Sequence, residues 1–149
     1  MMKAKNKEKS RGWRLNNPCC IRKGATWKGL APQQRDKDFC TFIAPVYGFR
    51  AAVIIICKTY YGRKRVTIRQ IIESWAPPKE NDTEAYVAHV ANAVGIGADM
   101  LLPRPKAETK NVWVPLIWAI ALHENGYVPN GMDAVIKTAF DMVFDKNIK

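Results

Sequence analysis

The chain has 149 residues, which is enough for one domain with a sizeable hydrophobic core, and nothing in it suggests a second domain. Apolar residues make up 48% of it and charged residues 25%, proportions that exclude a disordered or fibrous chain. The net charge of +11 is concentrated at the start, where residues 1–37 hold eleven Lys or Arg against two acidic residues. This skew predicts a polyanionic partner, which is a cell-wall polymer, an anionic lipid or a nucleic acid, with a plain solvated tail as the alternative for residues 1–10.

Residues 1–10 are predicted to be a disordered basic tail, followed by one domain over 11–149. No apolar stretch that could act as a signal peptide follows the charged start, and the longest apolar run, 51–57, is too short to cross a bilayer. We therefore expect synthesis in the cytoplasm without a signal peptide, and no membrane span. The cysteines lack the spacing of zinc ligands and are expected to be buried free thiols. They are Cys19, Cys20, Cys40 and Cys57.

The first part of the domain has the composition of loops and short strands. Segment 11–42 is rich in turn residues, and two strands are predicted in it, at 20–23 and 39–43. The next segment, 45–61, is dense in apolar residues and predicts a buried helix that Pro45 opens.

Cap signals predict two further helices. Thr67 suits the N-cap of a helix that extends to about residue 75. Glu-Asn-Asp-Thr at 80–83 is a dense cap signal before a helix that Gly95 closes. A connector with prolines follows over 97–110.

The stretch 113–131 is predicted to be the working centre of the protein. Pro115 fits the first turn, and Gly126 the left-handed cap, of a nearly all-apolar helix. Glu124 falls on the apolar face of this helix near its C-terminus, where burial and the helix dipole both raise a carboxyl pKa and so suit a general acid. The alternative is that Glu124 leans out of a frayed helix end and hydrogen bonds to His123.

A last helix is predicted after the turn at 126–130, with Asn130 or Asp133 as its cap and one buried face. That face comprises Val135, Ile136, Ala139, Phe140 and Val143. Five helices and a small N-terminal region of strands and loops make the predicted fold class α+β, mostly α.

Three polar clusters interrupt the apolar background, at 14–22, 75–86 and 123–130, each at the boundary of a predicted element. Their letters are NNPCCIR in the first, WAPPKENDTEAYV in the second and HENG in the third. Together they resemble a family of small phage and prophage proteins that are labelled virion structural proteins, and the resemblance covers about 11–129.

A second resemblance implies an activity. The letters NNPCCIRKG and the Trp-Lys-Gly at 27–29 resemble the Asn-Leu-Phe-Gly-Ile-Lys stretch of bacterial wall glucosaminidases, and 113–131 resembles the catalytic Glu helix of lysozyme-like transglycosylases. Because the Glu helix comes first in those enzymes, the resemblance implies a lysozyme-like single domain in circularly permuted order. One departure is Pro-Cys-Cys at 18–20 in place of the family's Pro-Gly-Asn, which replaces a glycine suited to a tight turn and an asparagine suited to face a sugar.

The resemblance implies that Glu124 is the catalytic acid and that Asp82 or Tyr86 stabilises the oxocarbenium-like state or directs the nucleophile. Each residue also has a purely structural interpretation. Asp82 could be a helix cap, and Trp27 and Trp75 could be core residues. Arg22 could be an ordinary solvated surface residue. The residues predicted to bind the sugar are Asn16, Asn17, Arg22, Trp27, Trp75, Asn81, His123 and Asn125.

These features predict a peptidoglycan-cleaving glycosidase of the lysozyme or lytic transglycosylase type, acting on the glycan strand of the bacterial wall without a metal or cofactor. The first alternative is a non-catalytic virion component of the same fold, with virion or tail proteins as partners. The second is a nucleic-acid-binding protein, which charge alone favours, since the sequence has no recognition helix or aromatic RNA-binding motif.

Overall fold

Helices form most of the structure, which a computed structural model describes for residues 9–76, 82–145 and 147, and six of them are α-helices. A π-helical segment, Ile54–Tyr60, continues α2 directly, and a 3-10 turn, Ala107–Thr109, leads into α5. The helices are α1 (Arg11–Arg14), α2 (Pro45–Val53), α3 (Ile68–Trp75), α4 (Thr83–Val94), α5 (Lys110–Asn125) and α6 (Met132–Phe144).

Helix α5 lies at the centre of the core because it is apolar around most of its circumference. Trp113, Leu116, Ile117 and Ile120 are all less than 2% exposed, and the helix packs against α1, α2, α4 and α6. Burial of each such side chain stabilises the fold by about 1.5–3 kcal/mol. The surrounding helices therefore fix the position of the last turn of α5, which carries Glu124.

The predicted strands at 20–23 and 39–43 are wrong. In the described residues this region has only isolated bridges, among them Arg22 with Phe39 and Leu30 with Phe42. Two residues of the loop, Asn16 and Cys20, have a positive φ, which breaks the extended conformation. The structure is mostly helical, as predicted, and the predicted small N-terminal region of strands and loops is a loop with isolated bridges that follows α1.

The start of α5 also differs from the prediction. The helix begins at Lys110, so Pro115 lies in its interior instead of its first turn. Proline removes the hydrogen bond to the carbonyl four residues earlier, which belongs to Asn111. Asn111 is exposed, so water can satisfy its carbonyl, while buried Trp113 and Val114 hold the turn in place.

The cap signals predicted the ends of α3, α4 and α5 more accurately than Pro115 predicted the start of α5. Thr67 forms a capping box with Gln70 at the start of α3, Asp82 caps α4, and Gly126 ends α5 in the left-handed conformation. Both candidate caps of α6 are wrong, because its N-cap is Gly131.

The remaining structural predictions are met in part. Helix α6 buries Ile136, Ala139 and Phe140, with Val135 and Val143 half-buried. All four cysteines are free thiols, three of them buried and Cys20 half-buried. Among the described residues no helix is both long and apolar enough to cross a membrane.

The predicted tail lies mostly outside the described residues. Ser10, its last residue, caps α1 by accepting a hydrogen bond from the Trp13 backbone N–H. Its hydroxyl also donates to Asn125 Oδ1 at 2.6 Å, which ties the start of the described chain to the end of α5.

Candidate active site

A cleft of about 610 Å³ opens beside the C-terminal end of α5. One wall is the loop that follows α1, the other is formed by the π-helical segment and the end of α3, and Glu124 is the acidic residue among the lining residues. The lining consists of Cys19, Cys20, Ile21, Arg22, Ala25, Trp27, Phe39, Ile55, Tyr60, Ser74, Trp75, Ala76 and Glu124.

The Glu124 carboxyl is half-buried and accepts a hydrogen bond from the Tyr86 hydroxyl, which donates to Oε2 at 2.7 Å. The Cys20 thiol lies close enough to the same carboxyl to lower its pKa. Burial raises the pKa of Glu124, and this effect outweighs those of Tyr86, Cys20 and the charge of Arg22, which lower it. The carboxyl therefore holds a proton at higher pH than an ordinary glutamate does.

Tyr86 and Cys20 remain proton donors over the whole physiological range. Tyr86 is fully buried on α4, and burial together with the charge of Glu124 raises its pKa far above the ordinary value. The same two causes raise the pKa of Cys20 to about 12. Since neither group gives up its proton, both stabilise the ionised form of Glu124.

Asn17 shapes the loop that carries Cys20 and Arg22. It is fully buried, its Nδ2 donates to the carbonyls of Ile21 and Cys40 at 2.9 Å each, and its Oδ1 accepts from the Ile21 N–H at 2.8 Å. All of its polar atoms are thus bonded within the chain. Asn17 does not line the cleft but sets the geometry of the loop that does.

Asn16 and Asn125 likewise bond to the chain itself. Asn16, with a φ of 55°, donates to the Phe42 carbonyl at 3.0 Å. Asn125 donates to the carbonyls of Pro18 and Ala121 at 2.7 and 2.9 Å. These bonds join the loop to α5, so the structure brings the first and third polar clusters together without placing these amides in the cleft.

His123 lies behind Tyr86, away from the cleft lining. Its ring stacks on the Tyr86 ring with centroids 3.8 Å apart, and its Nδ1 faces His89 Nδ1 at 2.9 Å, so one nitrogen carries the shared proton. Asp82 caps α4 by accepting from the Ala85 N–H at 3.1 Å and is not among the lining residues. Asn81 lies outside the described residues.

The two predicted tryptophans do line the cleft. Trp75 packs edge-to-face with Tyr60 at 6.4 Å between ring centroids. Trp27 is half-buried, and its indole N–H is buried without a hydrogen-bond partner among the described residues. Arg22 lines the same cleft, with its guanidinium 5.1 Å from the centroid of the Phe39 ring. The described part of the cleft therefore combines aromatic faces with the carboxyl of Glu124 and the cation of Arg22.

Among the lining residues that sequence reasoning missed are Cys20, Tyr60, Ser74 and Phe39. The available signal was Cys20, which stands where the resembling family has asparagine. Cys20 has a φ of 58°, a left-handed conformation that asparagine adopts more often than most residues. The Glu124 carboxyl can donate a proton to a ligand that is bound in the aromatic cleft. In the described part of the chain, no group of three or more residues has the arrangement needed to hold a metal ion.

No protein-family model matches this chain. It is similar to "Protein P5" of Pseudoalteromonas phage PM2, with 38% identity over 144 residues that cover 92% of this chain and 84% of the phage protein. Identity at this level over nearly the full length of one chain indicates common ancestry. The chain therefore belongs to the family of phage Protein P5.

Proposed function

We propose that the protein cleaves the glycan strand of peptidoglycan and that Glu124 is the general acid. The observation that carries this proposal is a carboxyl of raised pKa at the base of a cleft with tryptophans in its walls. A carboxyl that holds its proton to higher pH than usual can protonate a leaving oxygen, and indole faces stack on sugar rings. Membership of the phage Protein P5 family supports a role in a virion.

In the first step, protonated Glu124 gives its proton to the glycosidic oxygen as the bond from that oxygen to the anomeric carbon breaks. The departing sugar leaves as an alcohol, and Glu124 becomes a carboxylate. Tyr86 stabilises that carboxylate, because it keeps its own proton and donates a hydrogen bond to the new charge, and the neighbouring Cys20 thiol also keeps its proton. Tyr86 thus acts as a positioning residue for the acid.

The second step favours the lytic transglycosylase type. A retaining hydrolase uses a second carboxylate about 5–5.5 Å from the acid. Among the described lining residues Glu124 is the single carboxylate, and Asp82 is engaged as the cap of α4. We therefore propose that the substrate's own 6-hydroxyl attacks the anomeric carbon, that the Glu124 carboxylate removes the hydroxyl proton, and that a 1,6-anhydro sugar forms.

A non-catalytic role in the virion is the second candidate. It is favoured by the inward orientation of Asn16, Asn17 and Asn125, because these amides bond to the chain and leave few polar groups to orient a sugar. In that case the cleft would bind glycan, or a virion protein, without cleaving it.

Clearing of purified sacculi by the wild type and by Glu124→Gln tests the proposal. The amide keeps the volume of the side chain but cannot supply the proton, so we expect clearing to fall about a hundredfold or more. Glu73→Gln is the matched control, since this exposed glutamate lies on α3 outside the cleft lining and should retain full activity. No clearing by a folded wild-type protein would favour the non-catalytic role.

A further inference from the structure

Arg65 is held at the edge of the cleft by one of the lining residues. Its Nε donates to Ser74 Oγ at 2.6 Å, and Ser74 lines the cleft next to Trp75. The Tyr60 hydroxyl, in the same wall, donates to the Ser74 carbonyl at 3.3 Å. The guanidinium is thereby tethered beside the aromatic wall instead of extending freely into water.

Arg65 has no acidic partner among the described residues, in contrast to Arg11 and Arg69. Arg69 forms salt bridges with Glu84 and Asp99, and Arg11 does so with Asp36 and Asp38. The remaining hydrogen bond of Arg65 is a long one, 3.5 Å from Nη1 to the Arg63 carbonyl. Its Nη2 therefore has donors available for an anion.

The charge around the cleft also favours an anionic ligand. Arg22 lies in the lining, and Arg63 and Arg65 lie close enough to Tyr60 for their charges to lower its pKa against the effect of burial. Among the described lining residues the acidic one is Glu124, which holds its proton to higher pH than usual. A ligand that carries carboxylates is attracted to this cleft more strongly than a neutral one.

We propose that Arg65, tethered by Ser74, is a specificity-determining residue that binds a carboxylate substituent of the glycan. This inference rests on the proposed function and narrows its substrate to a glycan with acidic side groups. The planar guanidinium can offer Nη1 and Nη2 to the two oxygens of one carboxylate, a geometry that an ammonium group cannot match.

Binding is measured calorimetrically in the Glu124→Gln background, where the glycan is not consumed. Three probes separate the sources of the carboxylate: a neutral N-acetylglucosamine tetramer, a peptide-free glycan whose lactyl carboxylates are exposed, and a glycan that carries its peptide stems. Arg65→Gln is expected to weaken the binding of at least one acidic probe about tenfold and to leave the neutral probe unchanged, since it removes one charged hydrogen-bonding group. The acidic probe that responds identifies the carboxylate.

Arg63→Gln is the matched control, because it removes the same charge from a neighbouring position that is not tethered to Ser74. Ser74→Ala should reproduce part of the Arg65→Gln loss by releasing the tether. Equal losses in Arg63→Gln and Arg65→Gln would overturn the proposal in favour of a general field effect, and unchanged binding in Arg65→Gln would overturn it outright. If the parent protein binds none of the three probes, the proposed glycan function itself fails.

Discussion

Replacement of Tyr86 by phenylalanine should raise the pKa of Glu124 by about one to two units. The substitution removes one hydroxyl, which donates to Oε2 at 2.7 Å, and keeps the buried ring. A hydrogen bond to a charged group contributes about 1.5–3 kcal/mol, and each pKa unit corresponds to about 1.36 kcal/mol. In the wild type the Tyr86 hydroxyl lowers the pKa of Glu124 and burial raises it. Without the hydroxyl, burial therefore raises the pKa further.

The same change predicts a pH-dependent loss of stability. A carboxyl whose pKa is raised by folding contributes stability that is present below its unfolded value, near 4.5, and lost as the pH rises through the folded pKa. Tyr86→Phe raises that folded pKa further, so its deficit in the free energy of unfolding should be larger at pH 7 than at pH 4. Urea unfolding at the two pH values measures this difference.

The direct assay is an NMR titration of the Glu124 side-chain carboxyl carbon in labelled protein, which does not depend on activity. Tyr60→Phe is the control, because its hydroxyl lies in the same cleft but donates to the Ser74 carbonyl. It should leave the pKa of Glu124 unchanged. A Glu124 pKa that is the same in Tyr86→Phe and the wild type would refute the assigned role of Tyr86.

Two further predictions concern the surroundings of the acid. Burial and the neighbouring His89 lower the pKa of His123, so the unfolded chain binds more protons at this residue below about pH 6.5, and His123 contributes a loss of stability as the pH falls from 7.5 to 5.5. The urea midpoint at pH 5.5, relative to that at pH 7.5, should therefore be higher in His123→Gln than in the wild type, and an equal ratio would contradict the pairing. Asn17→Ala should destabilise the fold by about 3 kcal/mol, because it leaves buried backbone groups of Ile21 and Cys40 without their partner. Asn16→Ala is its control in the same denaturation experiment, since Asn16 makes one such bond and should cost less.

What could be predicted from the sequence was mainly local. Caps such as Thr67 and Asp82 depend on a few neighbouring residues, so their patterns identified the starts of α3 and α4. The start of α5 was predicted wrongly from Pro115. Packing on both sides of a proline can stabilise a helix that its local conformational preference would end.

The candidate site was predicted as three polar clusters, and contacts between Tyr86 and Glu124 and between Asn125 and Pro18 do join them. Which of these side chains point into the cleft, and which bond to the chain itself, could not be predicted from the sequence. Asn17 turns inward because the loop backbone needs its amide, and the contact between Cys20 and Glu124 depends on a left-handed residue far from α5 in the sequence.

The most direct test of the central claim is mass spectrometry of the material that the protein releases from purified sacculi. If Glu124 is a general acid that works without a second carboxylate, the wild type and Glu73→Gln should release muropeptides with 1,6-anhydro ends, and Glu124→Gln should release none above background. Release of the same anhydro products by Glu124→Gln, or no released muropeptides from the folded wild type, would contradict the account.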